Sequence, residues 1–174
     1  IIISLSRIIA GLVLAIALAL PLGFLLGGWF KTAETAVSPL LQALSQANPF
    51  TLFPVFIALL GLGEWSRVTM IFWVALWPVL NSTVSGIKNV DPELVKMARS
   101  LGLSRYQLFE RVLVPGAVPA IFAGIRFATL LSFFILIGAE MIGASSGLGY
   151  MIMQACPFHY ASFQLEKMWA GIVT

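Results

Sequence analysis

The chain has 174 residues, 60% of them hydrophobic and only 10% charged, with a mean hydropathy of +0.99; an ordinary soluble domain carries about 25% charged residues. This composition excludes a soluble globular protein, and a formal charge of +3 is too small to point to nucleic acid. A single cysteine, Cys156, excludes an internal disulfide.

Charge is absent over residues 8–30, 35–63, 68–87 and 141–165, and residues 112–139 are interrupted only by Arg126. A membrane-crossing helix needs about 20 apolar residues, so these five stretches predict an all-α polytopic membrane protein. The chain opens on Ile1 and stops at Thr174 within an apolar run, and so reads as part of a longer chain. The pattern of a cleaved leader is missing, because no polar domain follows the first apolar stretch.

The first span, about 8–28, is apolar on every face, which suits a helix surrounded by lipid or other helices. Gly23 and Gly27 form a small-xxx-small pair that would admit a close neighbour, and Pro21 permits a kink. Ser38-Pro39 reads as a cap followed by proline at the first helical position. The helix beginning there meets Asn48-Pro49 and Pro54, so the span to about Leu62 is expected as two halves with a break. Such breaks persist only where protein or a wet cavity satisfies the freed backbone. Gly61-Leu62-Gly63-Glu64 reads as a turn. The next span, about 68–87, carries Trp77, Asn81, Ser82, Thr83 and Ser85 in its second half, a polar load that belongs inside a bundle.

Between Lys88 and Pro115 the texture changes. Asp91-Pro92-Glu93 starts a helix with a cap, a proline at its first position and an acid in its first turn; it is expected to run to about Leu101 and stop at Gly102. A second short helix starts at Ser104, and Pro115 and Pro119 punctuate the approach to the next span. Leu94, Met97, Ala98 and Leu101 fall at helical spacing as an apolar stripe, a pattern that also fits an amphipathic helix lying on headgroups.

The register of this loop resembles that of ATP-binding-cassette importer permeases, Glu-Ala-Ala-x3-Gly-x9-Ile-x-Leu-Pro. Here it reads Lys96-Met97-Ala98, three residues, Gly102, nine residues, then Val112-Leu113-Val114-Pro115, with Lys96 in place of the acid and Met97 in place of the first alanine. The runs Val90-Asp91-Pro92-Glu93-Leu94, Ala98-Arg99-Ser100-Leu101-Gly102, Val114-Pro115-Gly116-Ala117-Val118-Pro119, Ala123-Gly124-Ile125-Arg126, Glu140-Met141-Ile142-Gly143-Ala144 and Gly147-Leu148-Gly149-Tyr150 are similar to the nitrate, sulfonate, taurine and bicarbonate branch of that family.

The resemblance implies a type I importer permease core of about five transmembrane helices, residues 1–174 forming one permease domain with a cytoplasmic coupling loop over 88–115. It implies a chain with no catalysis and no cofactor of its own, ATP and magnesium being held by two partner ATPase subunits. A phosphate-binding loop needs glycine before lysine, and here the four lysines follow Phe30, Ile87, Val95 and Glu166. The coupling contact is expected from Asp91, Pro92, Glu93, Leu94, Lys96, Met97, Ala98, Arg99, Leu101, Gly102 and Leu103. Further implied partners are a second permease copy in a homodimer, an extracytoplasmic substrate-binding protein and the bilayer of the inner membrane. Loop charges agree with this orientation: Lys31, Lys88, Lys96, Arg99, Arg105 and Arg111 fall inside, and Arg7, Arg67 and Lys167 outside.

Trp77, Asn81, Ser82, Thr129 and Ser132 are the candidate residues of a solute path, although the Thr129 and Ser132 hydroxyls are equally suited to bonding back to their own helix. Arg126 either attracts an anion or snorkels to the headgroups, the second being favoured. Glu140 is expected to order the glycine-rich turn after it by accepting backbone N–H bonds rather than to line an anion path. Residues 141–150 read as a turn or re-entrant piece. Cys156 and His159 supply two ligands of the four a structural zinc site uses, so no metal is expected. Two rival readings are an ATP-independent secondary carrier, for which the coupling loop would have no purpose, and an intramembrane enzyme, which would need paired ionisable groups in facing spans.

Overall fold

The computed structural model describes residues 2–29, 39, 41–61, 63–143 and 146–155, and all regular structure among them is helical. Helix α1, Ile2–Phe24, passes through Pro21 and continues as a wider turn over Leu25–Trp29. Its buried residues are Ser4, Arg7, Ile8, Gly11, Ala15, Ala19 and Gly23. They recur every three or four positions, so they form one stripe, and beyond Ile8 the stripe is all glycine and alanine. Ile9, Val13, Leu14, Leu18 and Leu22 face outward as a lipid-compatible surface.

The small stripe lies on α3, Glu64–Lys88. A Cβ added at Gly11 would lie 2.6 Å from Ile71 Cγ2, and one at Gly23 would lie 2.7 Å from Thr83 Cβ. The expected small-xxx-small contact at Gly23 and Gly27 is therefore real and longer than anticipated. Gly23→Leu should wedge α1 from α3; overpacking costs about 1–3 kcal/mol. A fall of about 5 °C in the melting midpoint of detergent-purified protein would show it.

The interrupted span appears as predicted. Residues 41–45 are helical, residues 46 and 47 turn, and α2, Pro49–Leu60, starts where Asn48 Oδ1 accepts the Phe50 N–H at 3.0 Å. Pro54 sits inside α2 without ending it, at the loss of one backbone bond. Twelve residues extend about 18 Å, short of the about 30 Å hydrocarbon core. Gly61, at φ +78°, then turns the chain into α3.

Helix α3 is the central helix: 61% of its membrane-length window is buried, against 28% for α1 and 33% for the helix following the loop. It packs against α1 and against that later helix. After it come α4, Pro92–Ser100, and the single turn α5, Arg105–Leu108. The chain next forms a wide turn over Phe109–Leu113 and runs straight into α6, Val114–Gly143. Here the sequence reading is corrected, since Pro115 and Pro119 do not separate the loop from the span. Pro115 has no N–H for an α-type bond, and the widened turn, closed by the Val114 N–H on the Phe109 carbonyl, falls just before it. The last described element, α7, Leu148–Ala155, packs against α6.

Among the described residues three helices are long and apolar enough to cross a membrane. The Ser38 cap, Lys31, Cys156, His159, Lys167 and residues 144–145 and 156–165 of the last charge-free stretch lie outside the described residues.

Candidate functional site

Helix α4 is closed at both ends by its own sequence. Asp91 Oδ1 accepts the Glu93 N–H at 2.9 Å, and Pro92 occupies the first helical position. At the other end the Leu103 N–H donates to the Ala98 carbonyl at 3.2 Å and the Gly102 N–H to the Arg99 carbonyl at 3.0 Å. This paired closure needs a left-handed residue after the helix, and Gly102 supplies it at φ +77°. The second start is firmer than read: Gln107 N–H donates to Ser104 Oγ and Ser104 N–H to Gln107 Oε1, a reciprocal cap whose Ser-x-x-Gln spacing was visible in the sequence.

The apolar stripe of α4 does not face the protein. Ala98 is buried, but Leu94, Met97 and Leu101 are 51, 60 and 80% exposed. Asp91, Pro92, Glu93, Lys96, Arg99 and Gly102 are exposed as well, and Leu103 is half-buried. A double-capped helix thus presents three large apolar side chains outward.

Midway along the bundle a cavity of about 780 Å³ opens between residues 45–50, α3 and α6. Of the predicted path residues, Trp77, Asn81 and Ser82 line it. Thr129 and Ser132 do not: their hydroxyls donate to the carbonyls of Ile125 (2.8 Å) and Ala128 (2.7 Å) on their own helix. Sequence reasoning missed Ser45, Gln46, Asn48 and Trp73, which complete the polar side of the wall; the signal available was the Asn48-Pro49 break, which marks where backbone and side chains need a cavity. The rings of Trp73 and Trp77 meet edge to face with centroids 5.2 Å apart, and neither indole N–H has a protein partner among the described residues. Among the described residues no charged one lines it. Arg126 is exposed and lies outside that lining. A second cavity, of about 200 Å³, lies nearer the loop, and Asn81 borders both.

At the end opposite the loop lies a network of charges in which Arg7 and Glu140 are buried and Glu64 is exposed. Arg7 lies between two acids, donating through Nε and Nη2 to Glu64 and through Nη1 to Glu140 at 2.6 Å. Arg7 and Glu140 are 3 and 1% exposed. Glu140 also accepts from Ser4 Oγ at 2.8 Å and from the Gly149 N–H at 2.9 Å, while Ser4 Oγ accepts from the Leu148 N–H at 3.1 Å. The expectation that Glu140 orders the glycine-rich turn holds, and Gly147, at φ +128°, leaves room for its carboxylate. Arg7 and Glu64 were not foreseen, because partners 57 and 133 positions apart have no local signature.

Among the described residues the chain is thus an all-helical bundle with membrane-length helices around a polar cavity at mid-depth. The chain belongs to the binding-protein-dependent transport system inner membrane component family, whose profile matches residues 19–173. It is 37% identical over 98% of its length to a protein of Bacillus subtilis named as an aliphatic sulfonates transport permease. It is 32% identical over 89% of its length to the taurine transport system permease protein of Escherichia coli, and 33% over 89% to the nitrate import permease protein of Synechococcus elongatus. The chain spans 60, 56 and 55% of the lengths of these three relatives.

Proposed function

We propose that this chain forms the translocation core of an ATP-driven importer for a small oxyanion of the sulfonate, taurine or nitrate kind. In this reading α4 lies on the cytoplasmic side and seats Leu94, Met97 and Leu101 in a groove on a partner ATPase. Closure of that partner moves α4 as a rigid lever, and α4 drives α3 and α6 between outward- and inward-open arrangements. Two copies of the permease face one another, with two ATPase subunits inside and a solute-binding protein outside. The observation that carries the reading is the exposed apolar stripe on a helix locked at both ends. It is supported by the family's dependence on a binding protein and by the names of the three relatives.

The cavity suits such a cargo for an electrostatic reason. An anion loses its hydration on leaving water and needs donors in exchange, yet a fixed cation in a low-dielectric wall would hold it too tightly to release. Amide and hydroxyl donors from Asn81 and Ser82 offer reversible hydrogen bonds instead.

Asn81, bordering both cavities, is the residue whose loss should slow passage most. Asn81→Leu is expected to cut uptake about tenfold, the equivalent of one net hydrogen bond, while leaving assembly with the ATPase unchanged. Uptake of labelled taurine, nitrate and a neutral solute into proteoliposomes holding the full complex checks both points. Preference for the neutral solute, or uptake indifferent to Asn81→Leu, would refute the anion path.

A further inference from the structure

A third cavity, of about 510 Å³, lies at the loop end of the bundle, where the wide turn after α1, the last turn of α3, α4 and α5 come together. Its charge comes from Lys88, Arg99 and Arg105, and its floor from apolar groups including Ile87, Phe109 and Leu113. Among the described residues none that lines it is acidic. Arg99 and Arg105 are exposed, and neither forms an ion pair or side-chain hydrogen bond among the described residues. Cations gathered in a recess with low-dielectric walls focus a positive potential, since the walls cannot screen it as water does.

The depth of this recess is informative. Lys88 is the last residue of the spanning helix α3, and Gly28 ends the first membrane-length helix. Both mark the boundary between hydrocarbon and headgroups, the level of a phospholipid's phosphate. Basic pockets between spanning helices at this level are suited to anionic headgroups, and the volume falls within the range of small-ligand sites. A soluble anion would be served by the cations alone. A lipid would also use the apolar floor, with its phosphate on Arg99 and Arg105 and its glycerol and upper acyl segments against Ile87, Phe109 and Leu113.

We propose that this recess binds the phosphodiester of an acidic glycerophospholipid, which ties the ends of α1 and α3 to α4 and α5. The site rests on the membrane-spanning assignment and not on the identity of the cargo, so it stands or falls separately from the anion path.

The test uses the purified full complex in detergent micelles doped with phosphatidylglycerol or phosphatidylcholine, read by thermal midpoint and by lipid retained in native mass spectrometry. Phosphatidylglycerol is expected to raise the midpoint and to be retained, and phosphatidylcholine and millimolar inorganic phosphate to do neither. Replacing both Arg99→Gln and Arg105→Gln should weaken phosphatidylglycerol binding about 30-fold, since each cation near the surface contributes about fivefold. The control change Arg111→Gln removes a basic charge of the same loop from outside the recess and should bind as the unaltered protein does. Arg105→Gln alone, with an intermediate loss, serves if the double replacement does not assemble. Equal retention of the two lipids, equal loss in Arg111→Gln and Arg105→Gln, or a full shift with inorganic phosphate would each overturn the proposal, the last by making the recess a site for a soluble anion.

Discussion

Gly102→Pro should abolish the coupling of ATP hydrolysis to uptake while leaving the spanning helices in place. Proline locks φ near −65° and has no N–H, whereas Gly102 sits at φ +77° and donates to the Arg99 carbonyl. Both ends of the requirement fail at once, at a cost of about 3 kcal/mol, or roughly a hundredfold in the population of the closed turn. The reversal between α4 and α5 is then lost, and Leu94, Met97 and Leu101 no longer hold one orientation. Solute-stimulated ATPase activity and uptake are both expected to drop at least about tenfold in proteoliposomes, with unchanged insertion. The substitution series separates backbone from side-chain causes. Gly102→Asn, which tolerates the left-handed region, should stay near the parent, and Gly102→Ala should fall between. Nothing lies within 4 Å of an added Cβ there, so the order reports conformation and not crowding. A proline variant that couples normally would remove the lever assignment.

Glu140→Leu is expected to be the most destabilising single change in the bundle. It leaves Arg7 buried with half of its charge compensation, and it strands the Ser4 hydroxyl and the Gly149 N–H together. Breaking a buried pair from one side costs about 3–5 kcal/mol, against a total stability of about 5–15 kcal/mol for a typical domain. A melting midpoint lower by about 10 °C is the expected reading. Glu140→Gln keeps an acceptor for Ser4 and Gly149 but not the charge, so it should fall between parent and Glu140→Leu. Because the network joins α1, the start of α3, the end of α6 and the turn into α7, its loss should loosen that end first. Hydrogen exchange at Leu148 and Gly149 should therefore rise before exchange in the middle of α3. Unaltered melting in both variants would show that the network contributes little.

What could be read from the chain alone is what depends on neighbours in sequence. The caps at Asp91 and Ser104, the reversal at Gly102 and the break at Asn48-Pro49 are local events, each decided by a side chain or a φ angle within a few residues. The membrane-spanning class needed only the spacing of charges along the chain. The polar second half of α3 announced an interior helix, because Asn81 and its neighbours could not be left in lipid.

Tertiary structure decided the rest. Whether a serine or threonine in a membrane helix lines a path or bonds back to its own carbonyl depends on which face meets a cavity, and this divided Ser82 from Thr129 and Ser132. Continuity through Pro115 depended on a widened turn that absorbs a missing N–H, which periodicity does not register. The union of Arg7, Glu64 and Glu140 depended on three helix ends meeting. Each charge taken singly looked like the edge of an apolar stretch, and only their proximity makes them a network whose Arg7–Glu140 pair is buried, because Coulomb attraction in a low-dielectric interior acts over distance in space and not along the chain.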